Sequence, residues 1–277
     1  MQRLRRGWRL AMVSLGVLRR DRTLGVFPVL GGLTALFAVA AFGLPAALLF
    51  SDDQNVLGVI VAAVGIYLST FLTIFFGVAL AGAAAVALDG RDATIGDGIA
   101  VARRHVGTIA AWAGVVTTVN IILRAIEERF GFVGAIVAGL LGAAWGIITF
   151  LVIPVIAIEG LGPIAALKRS ASLFRQRWGE QIVGTASIGI LVFLFGFLPA
   201  AILVGIGYLA GGTIGLVATI PVAAVILVVV AVIGQAAQGI FGVALYRYAV
   251  GEGAVAPFSE EDLAGSFQPK RTATQGF

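Results

Sequence analysis

The feature that most constrains this chain is where it carries no charge. No Asp, Glu, Lys, Arg or His occurs from Gly25 to Phe50, from Val56 to Leu88, from Phe132 to Ile158 or from Ile182 to Tyr246. A hydrocarbon layer about 30 Å thick is crossed by roughly 20 apolar residues in a helix. Runs of this length and uniformity are disfavoured in water and favoured in lipid, so the chain reads as a polytopic membrane protein. Composition agrees: 12% of residues are charged and 60% hydrophobic, where a soluble domain carries about 25% charged residues. The 38 glycines suit helices that approach closely in lipid. A strand-rich soluble fold does not fit runs so long and so evenly apolar.

The expected fold class is all-α, a transmembrane bundle of six helices at about 24–50, 56–88, 106–124, 132–158, 181–210 and 214–250. They form the 24–250 membrane domain, between a basic amphipathic segment at 1–23 and a cytoplasmic tail at 251–277. The first apolar run is too long, and its basic leader too extended, for a signal peptide, so the first helix is expected to be retained. Pro154, Pro199 and Pro221 fall inside three of these helices; each removes a backbone donor and should kink its helix.

Orientation follows from Lys and Arg. Seven arginines lie between Arg3 and Arg22. Others lie at Arg91, Arg103 and Arg104, at Lys168, Arg169, Arg175 and Arg177, and at Arg247, Lys270 and Arg271. Under a six-helix count all of these share one side, and only Arg124 and Arg129 face the other, beside Asp52, Asp53, Glu127 and Glu128. The positive-inside rule then places both termini in the cytoplasm of a cell that carries the protein in its plasma membrane.

The connections on the basic side are amphipathic and repeat. Ile95, Ile99, Ala102 and Val106 fall on one helical face, with Thr94 suited to cap it and Asp97 to its first turn. Leu167, Ala171, Phe174 and Trp178 form a second such face, and a shift of 72 residues superimposes the two sets. The same shift pairs Gly179 with Gly107 and Arg175 with Arg103. Asp89-Gly90, Glu159-Gly160 and Glu252-Gly253 recur after alternate helices. The expected unit is an interfacial helix followed by a transmembrane hairpin. Arg103, Lys168, Arg169, Phe174, Arg175 and Trp178 are the candidate interfacial anchors, with anionic lipid headgroups, and a membrane protein partner, as what they meet. The acids at helix C-termini oppose the helix dipole and call for arginine partners, Arg103 and Arg175 being candidates.

Ser14 to Pro28, Ala165-Ala-Leu-Lys-Arg-Ser170, Trp178-Gly179, and Ala244 to Glu252 with Phe258 and Phe267 to Lys270 after it resemble an uncharacterised prokaryotic six-helix membrane family, a domain of unknown function. The likeness spans nearly the whole chain and, more distantly, extends to the membrane domains fused to some glycerophosphodiester phosphodiesterases. It implies a fold and a membrane location but no substrate, and no catalytic part of those enzymes occurs here.

Chemistry is sparse. The chain has no cysteine and one histidine, His105, so two-histidine zinc motifs and thiol nucleophiles are excluded. It has no G-x-S-x-G elbow and no phosphate-binding P-loop. The pair Asp52-Asp53 sits in a short turn, where carboxylates are solvated. No enzyme activity and no cofactor are expected. The net charge of +5 lies at the flanks of apolar runs, which points to headgroups and away from nucleic acid. The polar candidates within the expected helices are Asn120, Gln235, Gln238, Ser69, Thr70 and Thr73. They are candidates for a transport path, with interhelical hydrogen bonding as the simpler role. The expected function is therefore non-enzymatic organisation or binding of membrane partners; the alternative is a facilitator of a neutral or amphiphilic solute.

Overall fold

The computed structural model describes residues 12–51, 55–177, 193–253 and 258. Asp52, Asp53, Trp178, Gly179 and the Phe267 to Lys270 motif lie outside the described residues, as do the first eleven positions. Every element among the described residues is helical. A helix over 12–20 (α1) leads to a 3-10 turn at Arg22–Gly25 and then to α2 (Val26–Ser51) and α3 (Asn55–Leu88). The short α4 (Ile95–Arg104) precedes α5 (Val106–Thr149), α6 (Val152–Glu159) and α7 (Pro163–Arg177). A π-turn at Phe193–Phe197 runs into α8 (Leu198–Val250).

Four helical stretches are long and apolar enough to cross a membrane, Arg22–Ser51, Asn55–Leu88, Val106–Glu159 and Phe193–Val250. The last two, at 54 and 58 residues, are each more than twice the length that a bilayer requires. Each is interrupted by one glycine in the mirror-β region that only glycine enters readily, Gly131 at φ 55, ψ −131 and Gly212 at φ 54, ψ −131. The chain folds back at both. The Trp112 and Trp145 rings stack with centroids 5.9 Å apart, and a straight helix would put them roughly 50 Å apart. A Cβ built on Gly196 would lie 3.0 Å from Val230, again across the break.

Two compact units share the chain. One comprises residues 21–171, the other 1–20 with 172–277. In the first, α3 is the central helix, packed on α2, α4, α5 and α6. Its second half supplies the core with small residues, Ala79, Ala81, Gly82, Ala83 and Ala84, all buried. Small side chains let backbones approach where no water drives association. The second unit holds the buried segment Ile240–Leu245 of α8, with Phe258 set against Phe241 at 6.5 Å. The outer surfaces are apolar: Phe37, Leu209 and Ile214 are 75%, 85% and 83% exposed.

The helix limits depart from expectation in three places. No loop separates 124 from 132, because α5 continues through Glu127, Glu128 and Arg129 to the break at Gly131. The expected 132–158 helix is itself divided at Phe150–Leu151, just before Pro154, which has no N–H to continue the helical ladder. Pro199 stands just after the π-turn in the same way, whereas Pro221, like Pro45 in α2, is carried inside its helix.

Candidate functional site

In the unit spanning 21–171, charged and capping residues gather where α2 begins, α3 and α6 end, and α4 and α7 lie. Asp21 organises this end. It caps the 3-10 turn, one carboxylate oxygen accepting from the Thr23 amide at 3.0 Å, and the other accepts from the Ala93 amide at 2.9 Å. One carboxylate thus ties the entry of α2 to the segment before α4. That segment then closes a capping box: the Asp97 amide donates to Thr94 Oγ1 at 3.1 Å and the Thr94 amide to Asp97 Oδ2 at 3.0 Å. The Thr94 hydroxyl also donates to the carboxylate at 2.7 Å. These bonds, hydroxyl first and amide second, hold the Asp97 carboxyl below its ordinary range, with the Arg91 charge adding to them.

The first two acid-glycine pairs stop helices: Gly90 and Gly160 have φ of 78° and 66°, the left-handed conformation that ends helices. At the third, α8 is already capped by Gly251 at φ 96°, and Gly253 at φ 84° follows two residues on. Each preceding acid is paired with an arginine. Asp89 meets Arg91 at 3.4 Å, Glu159 meets Arg169 at 2.9 Å and, in the other unit, Glu252 meets Arg247 at 3.8 Å. Arg103 and Arg104 occupy the last turn of α4, where positive charge suits the helix dipole, and both are exposed. His105 is the C-cap of α4, and its ring packs over Gly160.

The candidate interfacial anchors are placed as follows. Lys168 and Arg175 on α7 are exposed, while Arg169 and Phe174 are half-buried. The buried face of α7 is Ala166, Ser170 and Leu173, offset by one residue from the expected Leu167, Ala171 and Phe174. On α4 the buried pair is Gly98 and Ala102, with Ile95 and Val106 exposed. The expected apolar faces are thus corrected in part: Ala102 is buried as expected, but Gly98 takes the place of Ile95 on α4, and the α7 face is turned by one residue to Ala166, Ser170 and Leu173. A Cβ on Gly98 would strike the Phe27 ring and the Ala79 carbonyl, so α4 lies too close to α2 and α3 for anything larger. Gly98 and Ser170, both buried, are 72 residues apart, whereas the same shift carries buried Ala102 onto Phe174, which is half-buried. Ser170 donates to the Ile148 carbonyl, in the last turn before the helix break.

In the unit spanning 21–171, the polar residues of α3 bond along their own helix. The Thr73 hydroxyl donates to the Ser69 carbonyl at 2.9 Å and Thr70 to the Ile66 carbonyl at 2.8 Å, both within α3. Gln235 is exposed and Gln238 half-buried, in the other unit. The interhelical bond in this region is one that sequence reasoning missed: Tyr67 donates to the Ala110 carbonyl at 3.0 Å, joining α3 to α5. Its signal was a single phenol within an apolar run, a hydroxyl that needs a partner when buried.

Asn120 does line a cleft of about 640 Å³, between the two arms of α5 below Gly131. Leu123, Arg124, Glu127 and Glu128 line it from the same arm, and Ala135, Ala138 and Gly139 from the returning one. Arg124 Nε meets Glu128 Oε1 at 3.2 Å. No group of three His, Asp or Glu that could hold a metal occurs among the described residues.

A family model described as a family of unknown function (DUF6159) matches residues 56–255. The match takes in Ala165 to Ser170 and Ala244 to Glu252 and begins after the Ser14 to Pro28 stretch. No curated protein and no solved structure matches the chain.

Proposed function

Because the chain belongs to this family of unknown function, which brings no activity with it, we propose a role from the site itself. The protein is an integral membrane protein of six crossings with both termini on the basic, cytoplasmic side. It is non-enzymatic, and it binds anionic headgroups and a membrane protein partner through α4 and α7. Six crossings are supported by the two glycine breaks, whose backbone angles agree within 1° and which divide the 54- and 58-residue apolar stretches. With α2 and α3, that makes three hairpins, each ending beside a basic segment.

The observation that carries the binding role is the contrast within α4 and α7. Arg103, Arg104, Lys168 and Arg175 are exposed, while the helices bearing them are fixed by Asp21, the Thr94–Asp97 box and the Glu159–Arg169 pair. Charges on an immobilised scaffold lose little entropy on meeting a lipid phosphate, so they act as a headgroup-reading surface. Each basic residue near an anionic surface contributes about 1 kcal/mol. The test is retention of phosphatidylglycerol against phosphatidylcholine by purified protein. Replacing Arg103, Arg104 and Lys168 together by Gln should abolish the preference without loss of helix. Equal retention of the two lipids by the native protein would remove the reading.

A second reading, facilitated movement of a neutral or amphiphilic solute, is favoured by the open cleft at Asn120 and the half-burial of Gln238. A saturable flux in liposomes, lost in Gln238→Ala, would favour it over the first.

A further inference from the structure

We infer that His105 regulates the headgroup-reading surface of α4 and α7, its protonation tightening the hold on anionic lipid as the pH falls. The inference rests on the headgroup reading above and adds a pH dependence to it. His105 is the chain's single histidine and directly follows Arg103 and Arg104. Both arginines are exposed, and the imidazole is half-buried. Histidine is the side chain whose ordinary ionisation falls between about pH 5 and 8. A proton there turns two adjoining positive charges into three, at the end of α4 that meets lipid phosphates.

The seat of the ring ties this charge to the fold. His105 ends α4 as its C-cap, its amide donating to the Ala102 carbonyl at 3.2 Å, and its side chain does not cap α5. The ring instead stands edge-on against Gly160, the C-cap of α6. A Cβ built on Gly160 would lie 2.8 Å from Cε1, and 3.5 and 3.6 Å from Nδ1 and Nε2. Nothing larger than glycine fits beneath the imidazole, and a φ of 66° selects glycine independently. The imidazole therefore lies where two helices end. Helix C-termini carry partial negative charge on carbonyls that lack intrahelical donors, and a protonated histidine is favoured there.

The surrounding charges set how lipid and proton are coupled. α2 and α3, which pack on α4, have no charged residue, and α5 has none before Arg124. After α3, Asp89 meets Arg91, and Asp92 is exposed. Asp97, at the far end of α4, is held in its capping box. Glu159, next to Gly160, meets Arg169 at 2.9 Å, and Lys168 on α7 is exposed. Arg103 and Arg104 thus oppose a third positive charge, while the two helix ends and Glu159 favour it. An anionic headgroup at the two arginines removes their opposition, so bound lipid promotes proton uptake. Linkage is reciprocal, and proton uptake must then tighten lipid binding.

The experiment reconstitutes purified, untagged full-length protein with phosphatidylglycerol and phosphatidylcholine in equal parts, and measures the lipid retained on re-extraction at pH 7.5 and 5.5. Neither lipid phosphate changes charge in this interval. The preference for phosphatidylglycerol should rise about fivefold on acidification, the effect of one basic charge near an anionic surface. Its midpoint should coincide with that of the imidazole NMR signal, which a single histidine makes unambiguous. His105→Gln should hold the preference at its pH 7.5 level throughout, and His105→Lys at its pH 5.5 level, with circular dichroism unchanged in both. A preference that stays constant while the imidazole titrates, or a rise that survives in folded His105→Gln, overturns the proposal. So does a midpoint apart from that of the imidazole, a result that needs no variant. Absence of any preference at both pH values would instead remove the headgroup reading, and the inference with it.

Discussion

Trp112 and Trp145 stack face to face, with ring centroids 5.9 Å apart and planes inclined by 21°. They lie on what is otherwise a single helical stretch, and their contact shows that the stretch doubles back. The reversal occurs at Gly131, where φ of 55° excludes any residue with a Cβ at ordinary cost. Gly131→Val should therefore splay the arms of α5 by forcing strain of about 1–3 kcal/mol. Tryptophan fluorescence reads the outcome: the stacked pair should shift toward the emission of lipid- or detergent-exposed indole. The same substitution at Gly139 should leave that emission unchanged.

Asp21 joins two segments that are distant in sequence, through the amides of Thr23 and Ala93. Asp21→Ala removes a cap and leaves the Ala93 amide without its acceptor. A loss of about 2 kcal/mol is expected, seen as a lower midpoint of unfolding in detergent. Protection of the α4 amides from hydrogen exchange should fall with it, while protection in α8 should not.

The Thr94–Asp97 box carries a pH dependence of known sign. The folded carboxyl lies below the ordinary carboxylate range, because the Thr94 hydroxyl and amide donate to the ionised form. A depressed acid contributes stability above its unfolded value and loses it as pH falls through the folded one. The α4 cap should thus be intact at neutral pH and be lost as the pH falls below the ordinary carboxylate range and through the lower folded value. Exchange of the Thr94 and Asp97 amides followed from pH 6 to 3 checks this, and Asp97→Asn should flatten the profile.

Gly98 sits where a side chain would strike Phe27 and the Ala79 carbonyl. Gly98→Leu should detach α4 from the bundle, despite raising both hydrophobicity and helix propensity. Overpacking of this kind costs about 1–3 kcal/mol. Protease cleavage at Arg103 and Arg104 should accelerate in the variant, whereas a purely propensity-driven account expects slower cleavage.

That last position shows where sequence reading worked and where it stopped. Charge segregation located the apolar runs, and the first two acid-glycine pairs marked helix ends that carry a left-handed glycine, while α8 ends earlier than the third pair, at Gly251. The capping of α4 by Thr94 was legible because the box is local in sequence. The buried faces of α4 and α7 were not, since Ile95 looks outward and Gly98 inward. Large apolar side chains usually mark the core, but in a chain solvated by lipid they mark the outside equally well. The charged tip of α5 was misread as a loop for a related reason: Glu127, Glu128 and Arg129 are polar, yet they remain helical up to Gly131. The cleft depends on that reversal, so Asn120 could be named but not its neighbours across the gap.

The central claim is six crossings with the basic segments on one side, and site-directed labelling tests it most directly. The chain has no cysteine, so single cysteines can be placed at Arg91, Lys168, Glu127 and Thr213 in an otherwise native background. The account predicts that Arg91→Cys and Lys168→Cys react with a membrane-impermeant maleimide only when the cytoplasmic face is opened, and that Glu127→Cys and Thr213→Cys react in intact cells. Labelling of all four from the same side would contradict it.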